Sequence, residues 1–550
     1  MNSSFKQLSG KPVFILIAIN LIIGIFIFRD YGYSWDEPFF YDYASALGYA
    51  YSPQEWLSED FDLTNAYGAS GDDHKTRGPA YLLLARGPVQ LLEFLGLDRA
   101  SAWHLINFIV FQLGIYFLYR LALRWVSPSA GFAAAALFAW QPLLWGHAFI
   151  NPKDPPFLVF FLGSVCLGFE MVDRLVGETP ADRQRFSKVV LPALFLGFAT
   201  SIRVLGPLAG LLVLAYAAWK MRRRLATVIA PLVLYAAIAI ATMLVTWPYL
   251  WEDPLARFAE VFSFMSDNPT SLSVLFGGEV YHAGELPRAY LPFMLATTLT
   301  ESVWPLFFVG LLGGFGQMTK QLRDRHIRST AENAANDWTS LRSSLDVADT
   351  RNQLVSLILV LLWFLLLIAY VLLLRPAMYD GLRHFLFILP PVFIFIGIAF
   401  DLVSGFLSPN WLRAGLIVLI LAPGIAGMYR LHPYEYTYYN SFIGGTDGAF
   451  RQYETDYWLT CYKDAVEELN ATVNQPLDLY VHREAYIADD YAEEDIIVHD
   501  LRGAQGQVQP GDYILVNTRT NEDRRIFNEA PPLLQIGRGE AVFCVVKQVP

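Results

Sequence analysis

Three carboxylates stand where an apolar chain should avoid them. Asp36 and Glu37 lie in YGYSWDEPFF, residues 31 to 40, directly after a greasy N-terminal run, and Asp154 lies in GHAFINPKDPPFLVFF, residues 146 to 161. Acids at the exit of a spanning helix ordinarily sit in water, with a tryptophan such as Trp35 at the interface. Read alone, the Asp36-Glu37 pair needs no other explanation. The loop NPKDPP changes this, because it joins two apolar stretches in a few residues and holds a second acid at membrane level on the same face. Two carboxylates fixed on one side suit a site that removes a proton from a hydroxyl and orients it.

Cations supply the other half. His74, Lys75 and Arg77 fall in DDHKTRGP, Arg203 interrupts an apolar stretch, and Arg383-His384 opens another in YDGLRHFLFILPP. Arg383 at a helix end is equally well read as snorkelling to the interface, and Lys75 and Arg77 as solvated. Arg203 is harder to dismiss, since an ionisable residue inside a span is costly and calls for a partner. An anionic ligand held in the membrane, such as a lipid phosphate, accounts for several cations at one level, because guanidinium binds phosphate bidentately. Glu301 in LTESVWPLFF is a candidate partner for one of them.

The elements that must position these residues are membrane spans. The chain has 550 residues, 54% hydrophobic and 15% aromatic, more apolar than a soluble protein of that size needs. At roughly 20 apolar residues per crossing, spans are expected near 12–28, 102–123, 129–150, 155–173, 227–247, 290–314, 353–374, 384–404 and 411–428. The stretch 189–219 is too long for one ordinary crossing and is broken by Arg203 and Gly206-Pro207, so it is expected to form a hairpin of two short helices, making eleven spans. The hairpin puts the basic residues Lys6, Lys11, Arg174, Arg183, Arg185, Lys188, Lys220, Arg222 to Arg224, Lys320, Arg323, Arg325 and Arg328 on one side. That side is cytoplasmic by the positive-inside rule. The outer loop 29–101 contains a stretch, 80–96, that reads as an interfacial helix, while 317–351 reads as a linker or surface helices.

After Met428 the texture changes. LDLYVHRE, DIIVHDL, DYILVNTR and AVFCVVKQV are short β-rich runs, and YKDAVEELNATV has helical spacing. The expected fold is therefore a polytopic α-helical membrane domain, residues 1–429, followed by a small extracytoplasmic α/β domain, residues 430–550. A net charge of −11 argues against a nucleic-acid partner. Cys166, Cys461 and Cys544 show no metal spacing. Cys461 and Cys544 pair only if both lie in an oxidising compartment and the geometry permits. No Gly-rich phosphate loop and no His/Cys ligand set is visible, and two or three carboxylates hold a divalent ion only weakly by themselves.

WDEP after the first span, KDPP ahead of the fourth, HKxRGP before an interfacial helix and GLRHFLFILPP late in the chain together resemble the membrane-embedded GT-C glycosyltransferases. The nearest group is family 39, with its protein O-mannosyltransferases and lipid A aminoarabinose transferases. The similarity covers residues 12–405, most clearly the first 160, and continues in HPYEYTYYNSFIGG and YETDYWLTCYKDA. The resemblance implies an inverting transfer from a polyprenyl-phosphate sugar to a hydroxyl of protein Ser/Thr, lipid A or an envelope glycan, on the outer face of the plasma or inner membrane. It makes Asp36 the general base, Glu37 its acidic neighbour and Asp154 a second acid that places acceptor or donor. Lys75, Arg203 and Arg383, with His74, Arg77 and His384 beside them, become candidates for the lipid phosphate. Metal-independent transfer is expected. A transporter or flippase of lipid-linked or anionic substrates is the alternative, since buried charges and broken helices occur there too.

Overall fold

The computed structural model describes residues 11–176, 187–222, 225–267, 270–332, 337–472 and 475–550. Lys6, Arg183, Arg185, Arg223 and Arg224, used above for orientation, lie outside the described residues, as does the side chain of Arg328. Among the described residues, four helices are long and apolar enough to cross a membrane: Arg99–Ala122, Asp154–Leu175, Val347–Leu374 and Asn410–Leu431. A bent pair, Pro128–Ala139 with Pro142–Ile150, makes a fifth span, and shorter apolar helices run over Pro12–Ile27, Ser187–Ile202, Pro207–Met221, Ile229–Val245 and Pro390–Ser404. Phe26, Leu312, Leu374 and Leu419 are at least 70% exposed. Apolar surface of that kind belongs against lipid.

The helix Asp154–Leu175 is the central post, with 94% of its apolar window buried against 22% for Asn410–Leu431 at the edge. It packs on the helices Arg99–Ala122, Ser187–Ile202 and Pro207–Met221. The expected hairpin is therefore present as two helices, with the turn at residues 203–206. Pro207 opens the second helix, where its fixed φ and missing N–H are harmless.

Three expected spans differ in detail. The span at 129–150 bends by 62° at Trp140-Gln141, because Pro142 cannot continue the hydrogen-bond ladder. The span at 290–314 is broken after Thr297 and resumes at Val303. These two breaks satisfy each other: the Gln141 side-chain amide donates to Leu137 O (3.0 Å) and Thr300 Oγ1 (2.9 Å), and its oxygen accepts from Thr300 N at 3.0 Å. Backbone groups freed inside a membrane fold need such partners. The span at 384–404 begins as a 3₁₀ turn, Arg383–Ile388, before the helix Pro390–Ser404. Of the segment 317–351, expected as a linker or surface helices, the described residues continue the helices Val303–Glu332 and Asp337–Leu374. The interfacial helix is present over Ala80–Phe94.

The loop before Tyr290 carries a hairpin of β1 (Ser273–Phe276) and β2 (Glu279–His282) that sequence reading did not anticipate. The C-terminal sheet consists of β3 (Leu477–Val481), β4 (Ile496–Asp500), β5 (Tyr513–Asn517), β6 (Pro532–Arg538) and β7 (Ala541–Gln548), in the order β4-β3-β5-β7-β6. β3 lies parallel to β4 and β5, and β7 lies antiparallel to β5 and β6. The helix Cys461–Thr472 packs on β6 and β7, and a Cys461–Cys544 disulfide with Cα atoms 6.2 Å apart ties it to β7.

This sheet is docked on the membrane part. Tyr486 donates its hydroxyl to Trp35 O at 2.7 Å, the Tyr491 hydroxyl accepts from Tyr33 N at 2.9 Å, and Asn440 donates to Ala296 O and Leu299 O at 2.8 and 2.9 Å. Alkylating the denatured, unreduced protein should label Cys166 alone, and all three cysteines after reduction. Replacing Cys461 and Cys544 together by Ser should cost about 2 to 4 kcal/mol, read as a lower unfolding midpoint.

Candidate active site

Asp36 sits at the N-terminal end of the helix Glu37–Ala50, where the helix dipole favours an anion. Its carboxylate accepts from Arg383 Nη1 at 2.8 Å. Arg383 Nη2 lies 2.9 Å from Asp380, and the guanidinium also rests 4.9 Å from the Trp458 ring centroid and 5.1 Å from that of Tyr379. Burial alone would raise the Asp36 carboxyl; Arg383 and then Arg77 outweigh it and hold it below the usual carboxylate range. Burial likewise opposes the charge on Arg383, but Asp380 and Asp36 keep it firmly protonated.

Glu37 faces another way. It is fully buried, accepting from Ser34 N at 2.6 Å and the Tyr41 hydroxyl at 2.5 Å, with His104 Nε2 3.0 Å away. Its bond to the Ser34 amide closes the turn ahead of the helix. The expected acidic pair is thus divided: Asp36 faces Arg383, and Glu37 turns to Ser34, Tyr41 and His104.

Asp154 is 2% exposed and paired with Arg203. Its orientation is fixed by Asn151, whose Nδ2 donates to the carboxylate at 3.0 Å while its oxygen accepts from the amides of Lys153 and Asp154 at 3.0 and 2.9 Å. Asp154 therefore holds Arg203 in place, a nearer task than the acceptor-placing role expected of it. The loop carrying His74 and Arg77 meets the same corner. At Gly78 a Cβ would lie 1.6 Å from the backbone oxygen of Ser201, so glycine is what lets that loop press against the hairpin turn bearing Arg203.

Arg77 and Lys153 approach one ring, that of Phe40, at 5.8 and 5.6 Å. Among the described residues neither has a carboxylate within ion-pair distance. Burial, and then Arg77 and Arg203, push the Lys153 ammonium well below the usual lysine range. His384 sets its ring edge-on to that of Tyr379, with centroids 4.7 Å apart. His74 is lowered to about 4, by burial first and Arg77 second; its Nε2 is buried without a hydrogen-bond partner. Arg77, Lys153, Arg203 and Arg383 thus crowd around Asp36; Arg203 and Arg383 are paired with carboxylates, and Arg77 and Lys153 are not, among the described residues.

Lys153 was missed by sequence reading, although it stands inside NPKDPP, one residue before Asp154. Lys75 departs from the cluster: its backbone oxygen accepts from Trp247 Nε1 at 3.1 Å and its charge acts on Glu260. Glu301 takes no cation here; it accepts from Ser441 N at 2.7 Å, with the Tyr438 hydroxyl at 3.5 Å. Among the described residues no three His, Cys, Asp or Glu side chains gather as a metal site.

Two substitutions check this division. Glu37→Gln should destabilise the protein by about 1 to 3 kcal/mol, because a buried hydrogen-bonded charge is lost; Asp36→Asn should also lower the unfolding midpoint, because a depressed carboxyl contributes stability at neutral pH through its pair with Arg383. Gly78→Ala should cost about 1 to 3 kcal/mol through overpacking and lower the yield of folded protein on size-exclusion chromatography.

No protein-family model and no curated protein sequence matches the chain. Solved structures do resemble it. The archaeal oligosaccharyltransferase AglB from Archaeoglobus fulgidus, in complex with an inhibitory peptide and a dolichol-phosphate, aligns with 95% of this chain and 70% of its own at TM-score 0.50 and 11% identity. ArnT from Cupriavidus metallidurans bound to undecaprenyl phosphate aligns over 97% of both chains at TM-score 0.45 and 13% identity. Arabinosyltransferase EmbB from Mycobacterium smegmatis aligns with 79% of this chain and 42% of its own, at TM-score 0.34 and 12% identity. At such identities the likeness establishes the fold, which is that of the GT-C membrane glycosyltransferases.

Proposed function

We propose that the protein is an inverting glycosyltransferase that moves a sugar from a polyprenyl-phosphate donor to a hydroxyl acceptor on the outer face of the membrane. The observation that carries the reading is Asp36 held against Arg383, with Arg77 and Lys153 close by and, among the described residues, without a carboxylate at ion-pair distance. The GT-C fold supports it, and the motifs near residues 36, 74 and 154 favour family 39 within that fold. A lipid-linked donor enters from the bilayer, so its phosphate arrives at the depth of these side chains. The disulfide Cys461–Cys544 supports an oxidising, extracytoplasmic side for the C-terminal domain.

The chemistry needs few groups. The acceptor oxygen forms its bond to the anomeric carbon on the face opposite the phosphate. The carbon–oxygen bond to the phosphate breaks, and its electron pair leaves with the phosphate. Lys153, Arg77, Arg203 and Arg383 stabilise the charge that develops there. Asp36 takes the hydroxyl proton. Arg383 and Arg77 hold the Asp36 carboxyl low; a bound phosphate neutralises the neighbouring cations and so raises its proton affinity as the reaction proceeds. The residues assembled here complete this sequence with the donor's own phosphate as leaving group.

Asp36→Asn should abolish transfer from a polyprenyl-phosphate sugar while expression and binding of undecaprenyl phosphate stay normal; intact transfer would remove the base assignment. If the protein were a transporter, the wild type would show no sugar transfer either. Lys153→Met should weaken undecaprenyl phosphate binding at least about tenfold, the usual scale for a charge-assisted contact. Because the Asp36 pKa is depressed, its pair with Arg383 is present above the ordinary carboxylate value and is lost only as pH falls through the folded value. Transfer should therefore show no acid limb from Asp36 between pH 5 and pH 8 in the free enzyme, about the range in which an unperturbed carboxylate is ionised. The acceptor, whether protein Ser/Thr, lipid A or envelope glycan, is best found by comparing envelope glycans and lipid-linked sugars with and without the gene.

A further inference from the structure

Carboxylates and guanidinium groups alternate along a line from the C-terminal domain to Asp36. Glu454 lies 3.0 Å from Arg519 Nε, Arg519 Nη2 donates to Asp380 at 2.7 Å, Arg383 Nη2 lies 2.9 Å from the other Asp380 oxygen, and Arg383 Nη1 donates to Asp36 at 2.8 Å. Arg519 and Asp380 are 1% and 0% exposed. Arg519 leaves the end of β5 and stacks 4.6 Å from the ring centroid of Trp35, the residue just before Asp36. Trp458 Nε1 adds a further bond to Asp380 at 3.1 Å.

Arg383 has two carboxylates to serve and one guanidinium to serve them with. A buried Asp380 with no other cation would draw Arg383 toward itself, since an uncompensated buried charge is strongly unfavourable. We infer that Arg519 is a positioning residue: by neutralising Asp380 it leaves Arg383 turned toward Asp36, so that the C-terminal domain sets the electrostatics of the site. The functional part of this inference rests on the reading of Asp36 as the base. Other groups face Asp36 as well: Arg77 and His74 from the outer loop, Lys153 from NPKDPP, Arg203 from the hairpin, Asp380 from beside Arg383 and Tyr486 from the C-terminal domain. Among the described residues, Arg383 is the cation whose guanidinium is bonded to the Asp36 carboxylate.

The test titrates Asp36 directly, by infrared difference spectra between each full-length protein and its Asp36→Asn counterpart. In Arg519→Gln the Asp36 midpoint should rise by roughly one pH unit, the usual effect of weakening one close opposite charge. Asp380→Asn frees Arg383 for Asp36 and should lower the midpoint. The double variant should return toward the wild-type value, and Arg519→Lys should fall between wild type and Arg519→Gln. An unmoved midpoint in Arg519→Gln, or a raised one in Asp380→Asn, would overturn the inference. If Arg519→Gln does not fold, Arg519→Lys and Asp380→Asn decide by the same signs. Sugar transfer by the wild type is measured alongside: its absence removes the proposed function, while the infrared midpoints still decide whether Arg519 orients Arg383.

Discussion

Arg383 carries the site because its guanidinium is shared. One amino group meets Asp36 and the other meets Asp380, and the flat face lies against Trp458 and Tyr379. A planar fork on a short 3₁₀ turn can serve two carboxylates at once in a way that a lysine ammonium cannot. Each element around it is placed by that demand. The helix beginning at Glu37 presents Asp36, the segment before Arg383 presents Asp380, and the C-terminal domain reaches Asp380 with Arg519. Arg203 has Asp154, whereas Arg77 and Lys153 have no carboxylate at ion-pair distance among the described residues.

The cavity also depends on places where helices stop. Arg203 lies at the turn of a hairpin, Asp154 at the start of the central helix and Arg383 on a 3₁₀ turn. Ending a helix within an apolar layer exposes backbone groups, and each break here has its own remedy. Asn151 caps the turn before Asp154, Gln141 and Thr300 close two breaks together, and Gly78 lets a loop abut Ser201. Charged side chains at span ends and the polar groups that cap those ends are one structural solution.

Much of this was legible in the sequence, for identifiable reasons. Apolar runs of spanning length marked most of the helices, and Arg203 with Gly206-Pro207 marked the hairpin, because proline and buried charge leave a strong local signature. Alternating apolar residues marked β3, β4, β5 and β7; β6, which opens on Pro532 and carries Gly537, did not alternate clearly. The breaks at Gln141 and Thr298 to Ser302 were obscured because an uninterrupted apolar run looks alike whether the helix is straight or bent. Within the site, Asp36, Asp154, Arg203 and Arg383 were singled out by type and setting. Glu37 was grouped with Asp36 by adjacency, yet successive helical residues point about 100° apart. Lys153 was passed over beside an acid that drew attention, and Arg519 could not be found at all, since its partner Asp380 lies 139 positions away.

That separation bears on how the chain is assembled. Translation delivers the N-terminal helices to the bilayer first, so Asp380 is made well before Trp458 and Arg519, the C-terminal groups that bond it. Until the last strands form, this carboxylate has one of its two cations, Arg383. Completion of the sheet supplies the other. A chain interrupted after its last span would hold all of its spans and still lack that second cation.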